Sequence, residues 1–143
     1  MNRDYDCVFC KIVSVQAPSS VIFENNSIIS FLDINPLADG HVLIVPRDHF
    51  TGLAEMPSKI CSAMFSCIPM LGRALLQVTG AEGFNLLINH GSVAGQVVPH
   101  VHCHLIPRMP DDGLGYRWHA KQYEEGRSAE LAAAFQAALS NQM

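Results

Sequence analysis

The residues with most capacity for chemistry are three histidines at alternate positions, in the run His100-Val101-His102-Cys103-His104. In an extended chain alternate side chains share a face, so the three imidazoles project together while Val101, Cys103 and Leu105 face the other way. Imidazole can act as nucleophile, proton carrier or metal ligand at neutral pH. At roughly 3.3 Å per residue His100 and His104 stand about 13 Å apart. One zinc ion, with nitrogen ligands at about 2.0–2.1 Å, cannot hold both ends of that row. The run therefore has more than one job. Cys7 and Cys10 are the other chemically suggestive pair. Two cysteines do not fill a tetrahedral site, and a redox pair belongs after a strand and at the start of a helix, whereas this one sits in the first ten residues.

These groups need elements to position them. Val21-Ile22-Phe23-Glu24 and Ile28-Ile29-Ser30-Phe31-Leu32, separated by Asn25-Asn26-Ser27, predict a hairpin. His41 to Val45 predicts a third strand ended by Pro46, which cannot donate to a ladder. From about Met56 to Val78 the apolar residues Ile60, Met64, Cys67, Ile68, Leu71 and Leu75 recur at helical steps. Pro69 predicts a kink or break in that helix, and Gly80 and Gly83 mark its exit. Phe84 to Asn89 predicts a fourth strand, His90 to Gln96 a glycine-bearing loop, and His100 to Ile106 a fifth strand closed by Pro107. An Ala-rich helix over Ser128–Leu139, capped by Ser128, closes the chain. The pattern is α+β: an antiparallel sheet of about five strands, one main helix and a C-terminal helix, in a single domain over 1–143. Tyr116-Arg117-Trp118-His119 is an aromatic-basic cluster placed to line a site mouth or a subunit contact, and His90 reads as a solvated or rim residue.

Bulk properties exclude some functions. Formal net charge is −4 and no segment is densely basic, which argues against duplex nucleic acid as partner. A single nucleotide needs only a few local donors. No apolar stretch approaches the roughly 20 residues of a bilayer span, and the N-terminus lacks the layout of a signal peptide. The expectation is a cytoplasmic protein with no membrane partner. Five cysteines, an odd number, read as reduced thiols.

His100-Val101-His102-Cys103-His104-Leu105-Ile106 resembles the defining motif of the histidine-triad nucleotide-binding superfamily. Phe31-Leu32-Asp33-Ile34-Asn35-Pro36, Gly40-His41-Val42-Leu43-Ile44-Val45-Pro46 and Gly95-Gln96 resemble its other blocks. Cys7-Val8-Phe9-Cys10-Lys11-Ile12-Val13 is similar to the opening of its bacterial, Hint-like members. The resemblance implies hydrolysis of a purine nucleoside phosphoramidate or dinucleoside polyphosphate, with His102 attacking the α-phosphate and water releasing the nucleoside monophosphate. It puts His104 beside the phosphate and leaving group, His41 behind the site supporting His102, and Asn89 between ribose and phosphate. The Gly95-Gln96-Val97 turn is implied to offer backbone N–H groups to the phosphate, Asp33 to contact the ribose, and Phe31 and Ile34 to wall the base. Asp33 also suits an ordinary turn. Histidine rather than glutamine at 104 resembles the hydrolases of the superfamily and not its nucleotidyl transferases.

The resemblance further implies a structural zinc on Cys7, Cys10, His49 and His100, no catalytic metal, and a homodimer. One departure stands out. Many family members carry Ser or Thr where this chain has Val97, so one hydroxyl donor is missing while the backbone N–H survives. That predicts an altered rate or leaving-group preference, and it is the feature that would favour a nucleotide-binding regulatory protein with vestigial catalysis.

Overall fold

The computed structural model describes residues 2–115 and 119–143. Tyr116, Arg117 and Trp118 of the aromatic-basic cluster lie outside them; His119 is exposed. The elements run α1 (Val8–Val13), β1 (Val21–Glu24), β2 (Ile28–Leu32), β3 (Val42–Pro46), α2 (Ser58–Ser66), α3 (Ile68–Thr79), β4 (Gly83–Ile88), β5 (Cys103–Arg108) and α4 (Arg127–Ser140). Single 3₁₀ turns cover Leu53–Glu55 and Ser92–Ala94. The strands form one antiparallel sheet in the order β1-β2-β3-β5-β4.

Alternation along the central strands divides the core into two layers. Ile28, Val42, Ile44, Val101, Cys103 and Leu105 pack with Met64, Ile68, Leu71 and Leu75 of α2 and α3. Ile29, Phe31, Leu43 and Val45 face the opposite way, onto Phe9, Ile12 and Val13 of α1. Strands covered on both faces read as continuous apolar runs, and β2 and β3 do. The break in the long helix falls at Cys67, with Pro69 in the first turn of α3, where a missing N–H is harmless.

The stretch Ser58–Thr79 corrects the statement that no apolar run approaches a bilayer span. It is 22 residues long and its most apolar window has a mean hydropathy of 1.3. In this fold it is two helices whose apolar stripe forms the core against the sheet.

Several boundaries differ from expectation, among them β3, which begins after His41 and includes Pro46, and β4, which begins at Gly83. The ladder of β5 begins at Cys103, so His100 and His102 precede it, and it runs through Pro107 to Arg108. Pro107 is tolerated because β3 pairs only Cys103–Leu105, leaving β5 one neighbour there. β4 stops at Ile88, so Asn89 begins the loop. Ser128 lies inside α4; the cap position is Gly126, at φ +79°. α1 was not anticipated at all. Its six residues are too few to be stable by propensity, and burial of Phe9, Cys10, Ile12 and Val13 holds it.

Candidate functional site

α1 and the loop 91–98 cover the triad face incompletely, and between them opens a cleft of about 360 Å³. One wall is Val8, Phe9 and Ile12 of α1; the facing wall is Phe31, Asp33 and Ile34; Gly95, Val97 and Val98 form the rim and His102 and His104 lie at the bottom. Of the residues singled out from sequence, Phe31, Asp33, Ile34, Gly95, Val97, His102 and His104 thus meet in one cavity. His41, Asn89 and Gln96 do not line it, and His41 is buried against His104. Asn89 donates its amide to Gly95 O at 3.3 Å and so steadies the turn. Val8, Phe9, Ile12, Leu43 and Val98 also line the cleft and were missed. The only signal for the α1 trio was the apolar run Val8-Phe9 with Ile12-Val13, too short to show a period.

Gly40 places His41. Its φ is +91°, and a β-carbon there would collide with the Thr79 side chain, so this turn admits glycine alone without strain. The loop from Asp33 to His41 is closed by Asp33 N–H donating to His41 O at 2.9 Å and by His41 N–H to Ala38 O at 3.0 Å. Asp33 is both a turn residue and a site residue. One oxygen accepts from Asn35 N–H at 2.9 Å, and the other lies 3.6 Å from His41 Nε2.

The hydrogen bonds fix where the ring protons sit. Leu37 N–H donates to His41 Nδ1 at 3.1 Å, so the His41 proton is on Nε2. That nitrogen lies 2.9 Å from His104 Nδ1, which must accept, and the His104 proton is therefore on Nε2. His102 Nδ1 donates to the His100 carbonyl at 2.7 Å, leaving a lone pair on Nε2. His100 Nε2 donates to Pro46 O at 2.9 Å, leaving its Nδ1 free. Burial is the main force that lowers the pKa of His41, and it takes that of His104 down to about 4, with His102 and His41 adding repulsion and Asp33 opposing. Both rings are neutral at physiological pH. His41 backs His104, not His102 as expected: its ring centroid is 5.1 Å from that of His104, whose own is 4.9 Å from His102. Phe9 and His104 both meet His102 edge-on, with centroids at 5.1 and 4.9 Å.

Cys7, Cys10, His49 and His100 form a second group, their ligand atoms all within 4.8 Å of one another. Cys7 Sγ is 3.4 Å from His100 Nδ1, and Cys10 Sγ is 3.4 Å from His49 Nδ1 and 3.6 Å from His100 Nδ1. A tetrahedral zinc with ordinary bond lengths separates sulfur from nitrogen ligands by about 3.6 Å, so the donors fit such an ion. Burial lowers the His100 pKa to about 4, which keeps its lone pair available, and its bond to Pro46 O orients the ring as an outer partner orients a metal ligand. Cys7 does open a helix, as its N-cap, with no strand before it. Asp33, His41 and His104 make a third compact group. There the shared proton on His41 Nε2 occupies the place a cation would take. With Nδ1 already accepting from Leu37, metal binding would require an imidazolate, so this trio is a proton-holding set.

A family profile described as HIT domain matches residues 14–111. Adenylylsulfatase HINT3 of Arabidopsis thaliana is 44% identical over 76% of this chain, but the match spans only 55% of that longer protein. Adenosine 5'-monophosphoramidase HNT1 of Candida albicans is 40% identical over 92% of this chain and 90% of its own length. Among solved structures, SMU.412c from Streptococcus mutans UA159 superposes with a TM-score of 0.93 at 36% identity, covering 96% of this chain and 88% of that one. A Zn-bound histidine triad family protein from Mycobacterium smegmatis gives 0.74 at 34% identity, over 96% and 98% of the two chains.

The buried neutral state of His104 carries a stability consequence. Its pKa is about 4 in the fold against the ordinary 6.5. Between those values the unfolded chain binds a proton that the folded chain refuses. This contribution is constant above pH 6.5 and is lost as the pH falls from 6.5 towards 4. Urea unfolding at about pH 7 and about pH 4.5 should therefore show a larger fall in midpoint for the wild type than for His104→Asn. Equal falls would mean that His104 is not the group being held neutral.

Proposed function

The chain belongs to the HIT domain family, and from that membership and the proton positions we propose that it hydrolyses a purine nucleotide at the α-phosphate through a covalent intermediate on His102. The observation that carries this reading is the 2.7 Å bond from His102 Nδ1 to the His100 carbonyl, which makes Nε2 the lone-pair nitrogen of the neutral ring on a side chain that lines the cleft. A neutral, oriented imidazole is a competent nucleophile, and a covalent intermediate divides one difficult displacement into two easier ones.

In the first step the Nε2 lone pair attacks the α-phosphorus and the bond to the leaving nitrogen or oxygen breaks. His104 presents Nε2–H and is the donor placed to neutralise the leaving group, while His41 and Asp33 hold it in that tautomer. In the second step water attacks the same phosphorus and gives its proton to the His104 Nε2 emptied in the first step, the P–Nε2 bond breaks, and the nucleoside monophosphate departs with both histidines restored. Val97 and Val98 line the cleft and their N–H groups donate to no described residue, which suits them to charge developing on the phosphate oxygens. Such a donor is typically worth about 10²–10³ in kcat. The α1 residues, Phe31 and Ile34 wall the base, and Asp33 takes the ribose. Asn89 acts through the turn it steadies.

The relatives named adenylylsulfatase and adenosine 5'-monophosphoramidase favour an adenylate with a small leaving group over a dinucleotide. Val97 favours a vestigial-catalysis reading, in which the chain binds nucleotide as a signal. Trapping separates them. On mixing with adenosine phosphoramidate and quenching, mass spectrometry should find an AMP adduct on His102 that is absent in His102→Ala. AMP binding with neither adduct nor AMP release would leave only the binding module.

We assign a structural zinc to Cys7, Cys10, His49 and His100. Four protein ligands close the coordination shell, so the ion would tie α1 to the sheet and take no part in the reaction. Purified protein should hold about one zinc per chain, and Cys10→Ser should lose it with a fall in thermal midpoint. Metal-free protein as stable as the loaded form would refute the assignment.

A homodimer completes the proposal. Leu131, Phe135 and Leu139 make an apolar stripe on α4, whose Phe135 and Leu139 are 67% and 56% exposed, and Leu86 is exposed on the edge strand β4. A second copy covering these faces predicts a two-chain mass in sedimentation equilibrium. A one-chain mass at micromolar concentration would exclude it.

A further inference from the structure

The Gln96 side chain is committed to three backbone groups on two loops. Its Oε1 accepts from Gly91 N–H at 2.8 Å, while Nε2 donates to Thr51 O at 2.7 Å and to Val98 O at 3.1 Å. The amide orientation is forced, because two carbonyls require the NH₂ end and an N–H requires the oxygen. Gly91 and Val98 are the two ends of the loop beside the triad, so one side chain sets the distance between them. Thr51 anchors that loop to the segment following β3.

Within the loop half of the backbone donors are already used. Gly95 N–H donates to Ser92 O at 3.0 Å and Gln96 N–H to Gly91 O at 3.2 Å. Gly95 itself is held at φ +97° with its carbonyl on the Asn89 amide. The N–H groups of Ser92, Val93, Val97 and Val98 donate to no described residue, and of these four residues Val97 and Val98 alone line the cleft. Valine supplies no hydroxyl here, so backbone direction alone decides what position 97 can offer a phosphate.

We propose that Gln96 is a positioning residue: its amide preforms the Val97–Val98 N–H pair as a cradle for the α-phosphate without touching the nucleotide. This rests on the phosphate lying where the proposed function puts it. It also revises the sequence expectation, which grouped Gln96 with the contacting residues. A loop already fixed by three hydrogen bonds spares the ordering cost that an untied loop would incur on binding. The effect is confined to the phosphate, because the base and ribose walls share no hydrogen bond with Gln96.

The test compares AMP with adenosine in zinc-loaded protein by calorimetry. Gln96→Met keeps the length of the side chain and removes all three bonds. Gln96→Glu keeps an acceptor for Gly91 N–H but turns a carboxylate oxygen onto the two carbonyls, so the two variants perturb the loop by different routes. Both should weaken AMP by about tenfold while adenosine changes by less than about twofold, with adenosine binding serving as the internal check on the fold. Equal losses for both ligands would show a merely structural role, and unchanged AMP affinity in both variants would overturn the proposal outright. A wild-type protein that binds AMP no better than adenosine would remove the phosphate reading, and this proposal with it.

Discussion

Side-chain alternation through residues 100–105 is the constraint on which the rest of the molecule depends. Val101, Cys103 and Leu105 are 1%, 0% and 0% exposed and are packed against α2 and α3. Because that row is locked into the main core, His100, His102 and His104 have no choice of face. A slip by one residue would put three imidazoles into the apolar layer and three apolar residues on the cleft. The alternation holds although only His104 of the three lies within the β5 ladder. Upstream of it the register is kept by Val101 N–H donating to Phe50 O at 2.8 Å.

That bond belongs to a short hub. Asp48 and His49 hold Asn2 through three hydrogen bonds, at 2.9, 2.9 and 2.7 Å. Phe50 O holds the triad segment and Thr51 O holds Gln96. Four consecutive residues therefore fasten the N-terminal segment, the row of histidines and the loop 91–98 to the end of one central strand. α1 relies on the same hub through His49 and on the apolar layer through Phe9, Ile12 and Val13. The wall it gives the cleft and the edge contact of Phe9 on His102 follow from tertiary packing, since a six-residue helix has little stability of its own.

This division explains which features could be read from sequence. The hairpin was legible because Asn25 makes its turn locally, accepting from Ser27 N–H at 2.8 Å and Ile28 N–H at 3.0 Å. The split between α2 and α3 was legible from Pro69, and the face of the triad from strict alternation. The four metal-binding candidates came from a family likeness, and the structure brings Cys7, Cys10, His49 and His100 together. α1 was hidden because one and a half turns carry no period, and its reason for folding lies in contacts remote in sequence. Ser128 misled because a capping residue type is common at helix starts, whereas here Gly126 adopts the left-handed turn into α4. The place of His41 behind His104, and of Asn89 behind the turn, depended on loop closures that residue type does not encode.

Ring protons separate two clusters that residue types alone would treat alike. In each, a buried histidine has one nitrogen turned towards possible metal ligands and the other bonded to the backbone. For His100 the far nitrogen meets a carbonyl, Pro46 O, and must carry the proton, so the near nitrogen is bare and faces two sulfurs. For His41 the far nitrogen meets an N–H, that of Leu37, and must be bare, so the near nitrogen carries the proton towards His104. One backbone acceptor leaves a bare nitrogen facing the sulfurs, and one backbone donor leaves a protonated nitrogen facing His104. The proposed division of labour along the triad, metal at one end and proton at the other, would thus rest on which main-chain group each ring meets.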